Sequence, residues 1–316
     1  MSKPSFHLSS SYETQLILMV LTGMVLSILS SNQQIWACLG LILLVGLPHG
    51  ATDAFLIWEQ NSPSKKRALA GLTMYLGSLL LCFYIWLAAT DLFWSVFFCA
   101  SIVHFGFGDR NDTAPPFEQA HLSIRILTML SKMMRGCAIV LTPFIYHFEE
   151  TKPFLLAAST PAFCDLLQTF AKPIWLTCLS LTSLAVAWNF LRHRNVRGQV
   201  LLNLIEAAYY TLLFTFITPL VAFTLYFVCH HSLSHMIRIW RYKRNPTLLI
   251  STVICTLPVI GFTLYFAPHG ASDVAVIATA VALTWIACLT FPHMFIVHRF
   301  PFPKETGDLY SATHSS

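Results

Sequence analysis

Along the chain, long apolar runs alternate with short polar clusters, and most runs approach the roughly 20 residues that carry an α-helix across a bilayer. They fall at 15–31, 35–58, 68–90, 92–108, 126–148, 173–191, 200–218, 220–240, 248–267 and 274–298. The pattern predicts an all-α, polytopic integral membrane bundle of about ten transmembrane helices. Pro219 separates two runs by a tight turn, and Asn245–Pro246 marks a loop. The fifth run is the weakest, because Lys132 and Arg135 interrupt it. The stretch 117–135 reads equally as an interfacial helix leading into a short span after Gly136, so the count ranges from eight to ten.

Composition and charge agree with this pattern. Of 316 residues, 56% are apolar and 10% charged, against about 25% charged in a soluble domain. The mean hydropathy is +0.64. Placing the N-terminus in the cytoplasm puts every one of the 19 Lys and Arg residues except Lys152 and Lys172 toward the inner side. That asymmetry favours ten spans with both termini cytoplasmic. It also accounts for the formal charge of +5 without a nucleic-acid partner. The expected organisation is a cytoplasmic N-terminal segment (1–14), a transmembrane catalytic domain (15–298) and a polar C-terminal tail (299–316). With no clear cleavage site, the first run is expected to remain as a span, in the cell inner (plasma) membrane. The nine cysteines include no C-x-x-C pair, and all but Cys164 lie in apolar runs, so they read as small buried hydrophobes.

Five histidines fall inside the spans: His49, His104, His231, His235 and His293. Ionisable groups at bilayer depth default to a functional reading, and imidazole is the commonest metal ligand. On the ten-span topology all five come to a similar depth toward the inner leaflet, although depth played no part in drawing the spans. His231 and His235 are four residues apart and share a helical face. The same offset places Asp53 one turn beyond His49, where its carboxylate can orient or balance a ligating ring. Asp109, after His104, is a second candidate for that role or caps a loop. His230 points about 100° away from His231 and reads as a supporting or packing residue.

The remaining histidines have plainer readings. His7, His121, His193 and His314 lie in polar segments and read as solvated, and His298 as interfacial. His147, near the outer end of the fifth span, has no evident partner. Pro-His-Gly-Ala-Ser-Asp at 268–273 nearly repeats 48–53, but the topology places it in an outer loop, so His269 reads as structural. A lone histidine in an apolar helix is more often hydrogen-bonded to a neighbour than bound to metal. The coincidence of five carries the metal reading.

Nitrogen ligands without thiolate suit Fe, Zn or Cu. A buried site with few other polar groups suits a lipophilic substrate and O2. Two other classes fit the same residues: a histidine-box fatty-acyl desaturase or hydroxylase, which uses about eight histidines around two irons, and a metal or proton transporter, whose polar groups should run through the membrane. A bis-histidine haem protein is a weaker third reading.

Four motifs favour the oxygenase. Gly-Leu-Pro-His-Gly-Ala-Thr-Asp at 46–53, His-Phe-Gly-Phe-Gly-Asp at 104–109, His-Ser-Leu-Ser-His at 231–235 and Thr-Phe-Pro-His-Met at 290–294 resemble, in order, those of the Brp/Blh family of bacterial and archaeal β-carotene 15,15′-dioxygenases. The resemblance covers residues 35 to 298. It implies an Fe(2+)-dependent membrane enzyme that cleaves the central double bond of β-carotene with O2 into two molecules of all-trans-retinal. His49, His104, His231 and His235 match the proposed iron ligands. It leaves His293 as either a further ligand or a supporting group, and gives Asp53 a supporting role. It also implies a functional link to a microbial rhodopsin that takes up the retinal.

Overall fold

The structure is a computed structural model, and it describes residues 10–61, 64–108, 122–192, 197–242, 246–266 and 274–299. Among these residues every regular element is helical. In lipid the backbone has no water to bond, so a helix, which satisfies its own amides, is the expected solution.

Helix α1 (Ser10–Ser27) leads into a long bent rod: α2 (Ser31–Leu41), a π-helical turn at Ile42–Gly46, α3 (Pro48–Ala51) and α4 (Asp53–Gln60). Helices α5 (Lys65–Ala88) and α6 (Thr90–Phe107) are split only by Ala89, whose backbone leaves the helical region (φ −149°, ψ 62°). The next three are α7 (Leu122–Tyr146), α8 (Phe148–Ala158) and α9 (Pro161–Arg192). Helix α10 (Arg197–Phe216) precedes a second composite rod: α11 (Pro219–Thr224), π-helical residues Leu225–Ser232 and α12 (Leu233–Tyr242). Helices α13 (Pro246–Phe266) and α14 (Val274–Arg299) complete the bundle.

Each expected run falls largely within a helix, but among the described residues six helices are both long and apolar enough to cross a membrane. These are Ser31–Gln60, Lys65–Ala88, Thr90–Phe107, Pro161–Leu191, Pro219–Arg241 and Val274–Val297. The segments Glu13–Ser27, Val200–Phe216 and Ile250–Gly261 are apolar but shorter. From Leu122 onward, helix α7 runs unbroken through Gly136, where the sequence allowed an interfacial piece to end and a short span to begin. The sixth expected span starts twelve residues earlier than its apolar run, because α9 begins at Pro161 and buries Phe163 and Cys164.

Small residues bring the inner helices together. A Cβ added at Gly136 of α7 would stand 1.9 Å from the carbonyl oxygen of Ile102 on α6, so only glycine permits this backbone contact. Gly106 of α6 returns the favour against the Lys132 carbonyl, at 2.6 Å. Polar side chains add interhelical bonds: Asn203 donates to Ser131 (3.0 Å) and Thr182 to the Leu130 carbonyl (3.3 Å).

The least expected tie is ionic. Arg135, read from sequence as an inner-end charge, is 1% exposed. Its guanidinium pairs with Glu206 of α10 at 2.8 Å and donates to the carbonyls of Phe105 and Gly106, both at 2.9 Å. Those carbonyls end α6 and have few helical partners of their own. The pair therefore locks α6, α7 and α10 together directly beside His104.

Candidate functional site

The two π-helical stretches lie on either side of one point in the bundle. A π turn shifts the angular register of a helix and is frequent at functional sites. The turn at Ile42–Gly46 presents His49 on the short helix that Pro48 starts, while Leu225–Ser232 carries His230 and His231. The stretches pack closely because a Cβ at Gly46 would meet the Phe227 ring at 2.7 Å. Thr52 supports α3 by donating to the His49 carbonyl at 2.5 Å.

All five expected histidines converge here, and all are buried. The His49 ring centroid lies 5.1 Å from His231, 5.9 Å from His235 and 5.0 Å from His293. His104 lies 5.0 Å from His231 and 5.6 Å from His293, and His235 lies 5.2 Å from His293. The Nε2 atoms of His104 and His231 are 3.3 Å apart. Four separate segments of chain supply these rings: α3, α6, the Leu225–Tyr242 rod and α14.

These separations can be compared with a shared metal. With about 2.1 Å from nitrogen to metal, two imidazoles at a tetrahedral angle place their nitrogens about 3.4 Å and their centroids about 5.2 Å apart. The His49–His231, His49–His293, His104–His231 and His235–His293 pairs are close to that spacing, whereas His49–His235 and His104–His293, at 5.9 and 5.6 Å, are wider. Among the described residues, no three His, Cys, Asp or Glu side chains yet form a closed metal-holding group. The rings are gathered around a common space without being drawn in on one point.

For His49, His293 and His235, partners on the far side of the ring fix its proton. His49 donates Nδ1–H to the Gly46 carbonyl, with Ser232 Oγ 3.2 Å from the same nitrogen. His293 Nδ1 lies 2.9 and 3.0 Å from the two oxygens of Asp53. Carbonyl and carboxylate oxygens only accept, so in both rings the lone pair is left on Nε2. His235 differs, because its Nδ1 accepts from Arg238 at 3.1 Å. Asp53 is fully buried and takes a further bond from the Tyr75 hydroxyl at 2.9 Å. Sequence reasoning missed Tyr75, which sits in a run of apolar residues 22 positions away. His230 packs against Tyr210 and Tyr226, outside the ring of five.

Asp109, His7, His121, His193, His269 and His314, with the motif at 268–273, lie outside the described residues. His147 does have partners: Glu150 at 2.9 Å and the Thr215 carbonyl at 3.0 Å.

An apolar cavity of about 580 Å³ lies near the cluster, although none of the five histidines lines it. Its walls include Trp94, Phe97, Phe98 and Phe105 of α6, Phe144 of α7 and Phe223 of α11. From Trp94 to Phe105 the cavity follows α6 for roughly 16 Å at 1.5 Å per residue. One end lies by Ser31, Gln34 and Thr218, at helix ends. The other reaches Ser101 and Thr290, one turn before His104 and His293. Two aromatic contacts connect it to the cluster. Phe105 lies 5.1 Å from the His231 ring, and Phe223 stacks on Phe227, itself 5.2 Å from His49. Gln34 spends its amide on the Leu26 and Leu29 carbonyls.

No solved structure matches the chain. A β-carotene 15,15′-dioxygenase from an uncultured marine bacterium, 66A03, is 30% identical over 274 residues, covering 83% of this chain and 92% of that protein. The family model described as β-carotene 15,15′-dioxygenase matches residues 40–300, which include all five clustered histidines, Asp53, Tyr75 and the cavity-lining part of α6. With that match over most of its length, the chain belongs to the β-carotene 15,15′-dioxygenase family.

Proposed function

We propose that the protein splits the central 15,15′ double bond of β-carotene with O2, giving two molecules of all-trans-retinal. One oxygen atom goes to each carbon of the broken bond, so carotene and O2 are consumed one to one and no other reductant is needed. The observation that carries this reading is a five-imidazole cluster one helical turn beyond Ser101 and Thr290 of a large apolar cavity. Iron(II), held among His49, His104, His231 and His235, would supply the activation of O2 that the organic side chains cannot.

The protein's own part is binding and exclusion. Trp94, Phe98, Phe144 and Phe223 offer faces against which one arm of a polyene can lie. Phe223, on the rod that carries His231, lines the cavity and stacks on Phe227, so an arm lying there would direct its central bond toward the imidazoles. Burial of the cluster keeps water from the cleavage point, and fixed placement replaces the search for a reactive geometry. We assign the chain ten spans with both termini in the cytoplasm, in the inner membrane. The split of Lys and Arg supports this, although three of the apolar helices are short. A retinal-binding rhodopsin is the proposed user of the product.

Expression in a β-carotene-accumulating bacterium tests the reading. Loss of orange colour with appearance of retinal is expected, and supply of ¹⁸O2 should label each retinal with one heavy oxygen. Full retinal yield from His49→Ala and His104→Ala proteins present at normal levels would refute the assigned site.

A further inference from the structure

The unassigned member of the cluster is His293, and two residues outside the ring set its orientation. Asp53 is 0% exposed, yet its carboxylate is met from two helices. His293 of α14 donates from Nδ1, and Tyr75 of α5 donates its hydroxyl to Oδ2. With its proton facing Asp53, His293 turns the Nε2 lone pair to the other side. Its ring stands 5.0 Å from His49, 5.2 Å from His235 and 5.6 Å from His104, so it lies within the cluster and not at its rim. A carboxylate on the outer N–H is the usual support of a ligating histidine.

We infer that His293 is a ligand of the same iron as the other histidines, and that Asp53 and Tyr75 are positioning residues for its ring and tautomer. This rests on the proposed iron site. Fe(II) affinity provides a readout separate from turnover. It is measured by anaerobic titration of the purified full chain with Fe(II) alone, together with the electron paramagnetic resonance spectrum of the nitric oxide adduct. His293→Ala and Asp53→Asn are each expected to weaken Fe(II) binding by about 10- to 100-fold and to alter the adduct spectrum. Tyr75→Phe keeps every ring and should weaken binding by a few-fold, on the order of one hydrogen bond. Unchanged affinity and spectrum in His293→Ala would overturn the inference and leave the other histidines as the site. If that variant does not fold, the same null result in Tyr75→Phe overturns it. A wild-type protein that binds no iron but still forms retinal would instead defeat the iron reading itself.

Discussion

His293 and His235 face the same space with ring centroids 5.2 Å apart, yet their outer nitrogens meet opposite partners. His293 gives its Nδ1 proton to a carboxylate, whereas His235 accepts one from a guanidinium that can only donate. The first arrangement leaves a lone pair on Nε2 facing inward, and the second leaves a proton there. Metal bound at His235 Nε2 requires that proton to leave, with Arg238 withdrawing or turning. The difference shows that residue identity and burial do not rank ligands, because the partner behind each ring sets how ready it is to bind.

The largest effects should come from rings whose spacing already suits a metal. His49→Ala, His104→Ala or His231→Ala is expected to cut retinal formation by about 100-fold or more, measured by chromatography of cell extracts. Loss of either partner in the buried pair comes next. Arg135→Ala or Glu206→Ala leaves a charge alone in the bundle at a cost of about 3–5 kcal/mol, read as lost folded protein in detergent size-exclusion runs. The comparison itself is sharpened by Arg238→Met, which removes the donor behind His235. It should raise Fe(II) affinity by about tenfold, the low end for one charge-assisted hydrogen bond, where Asp53→Asn lowers it. Equal changes of the same sign in an iron titration would erase the distinction between the two rings. The smallest effect is expected from His230→Phe, which keeps an aromatic ring against Tyr210 and Tyr226 and should alter retinal yield less than any of the preceding changes.

Much of this was legible in the sequence because both signals are periodic or chemical. Apolar run length marked every expected span as helix, and similar depth in the membrane marked the five histidines that converge. Asp53 was found through its one-turn offset from His49, although its bond goes to His293 on α14. What stayed hidden depends on register between distant helices. Tyr75 reads as one more residue of a lipid-facing helix, only 6% of whose span is buried, against 67% for the rod carrying His231 and His235. Arg135 looked like a topology marker, because nothing local reveals that Glu206 lies opposite it. The π-helical stretches leave no sequence pattern distinct from an α-helix, though each changes which side its histidines face.

The central claim is that distant helices bring their imidazoles around one iron that serves carotene cleavage. Its most direct test follows iron content and retinal formation together in one purified sample, as Fe(II) is removed by chelation and restored. The account predicts roughly one bound iron per chain, activity that falls and returns in proportion to it, and neither in His104→Ala. Retinal formation that continues undiminished in the iron-free protein would contradict it.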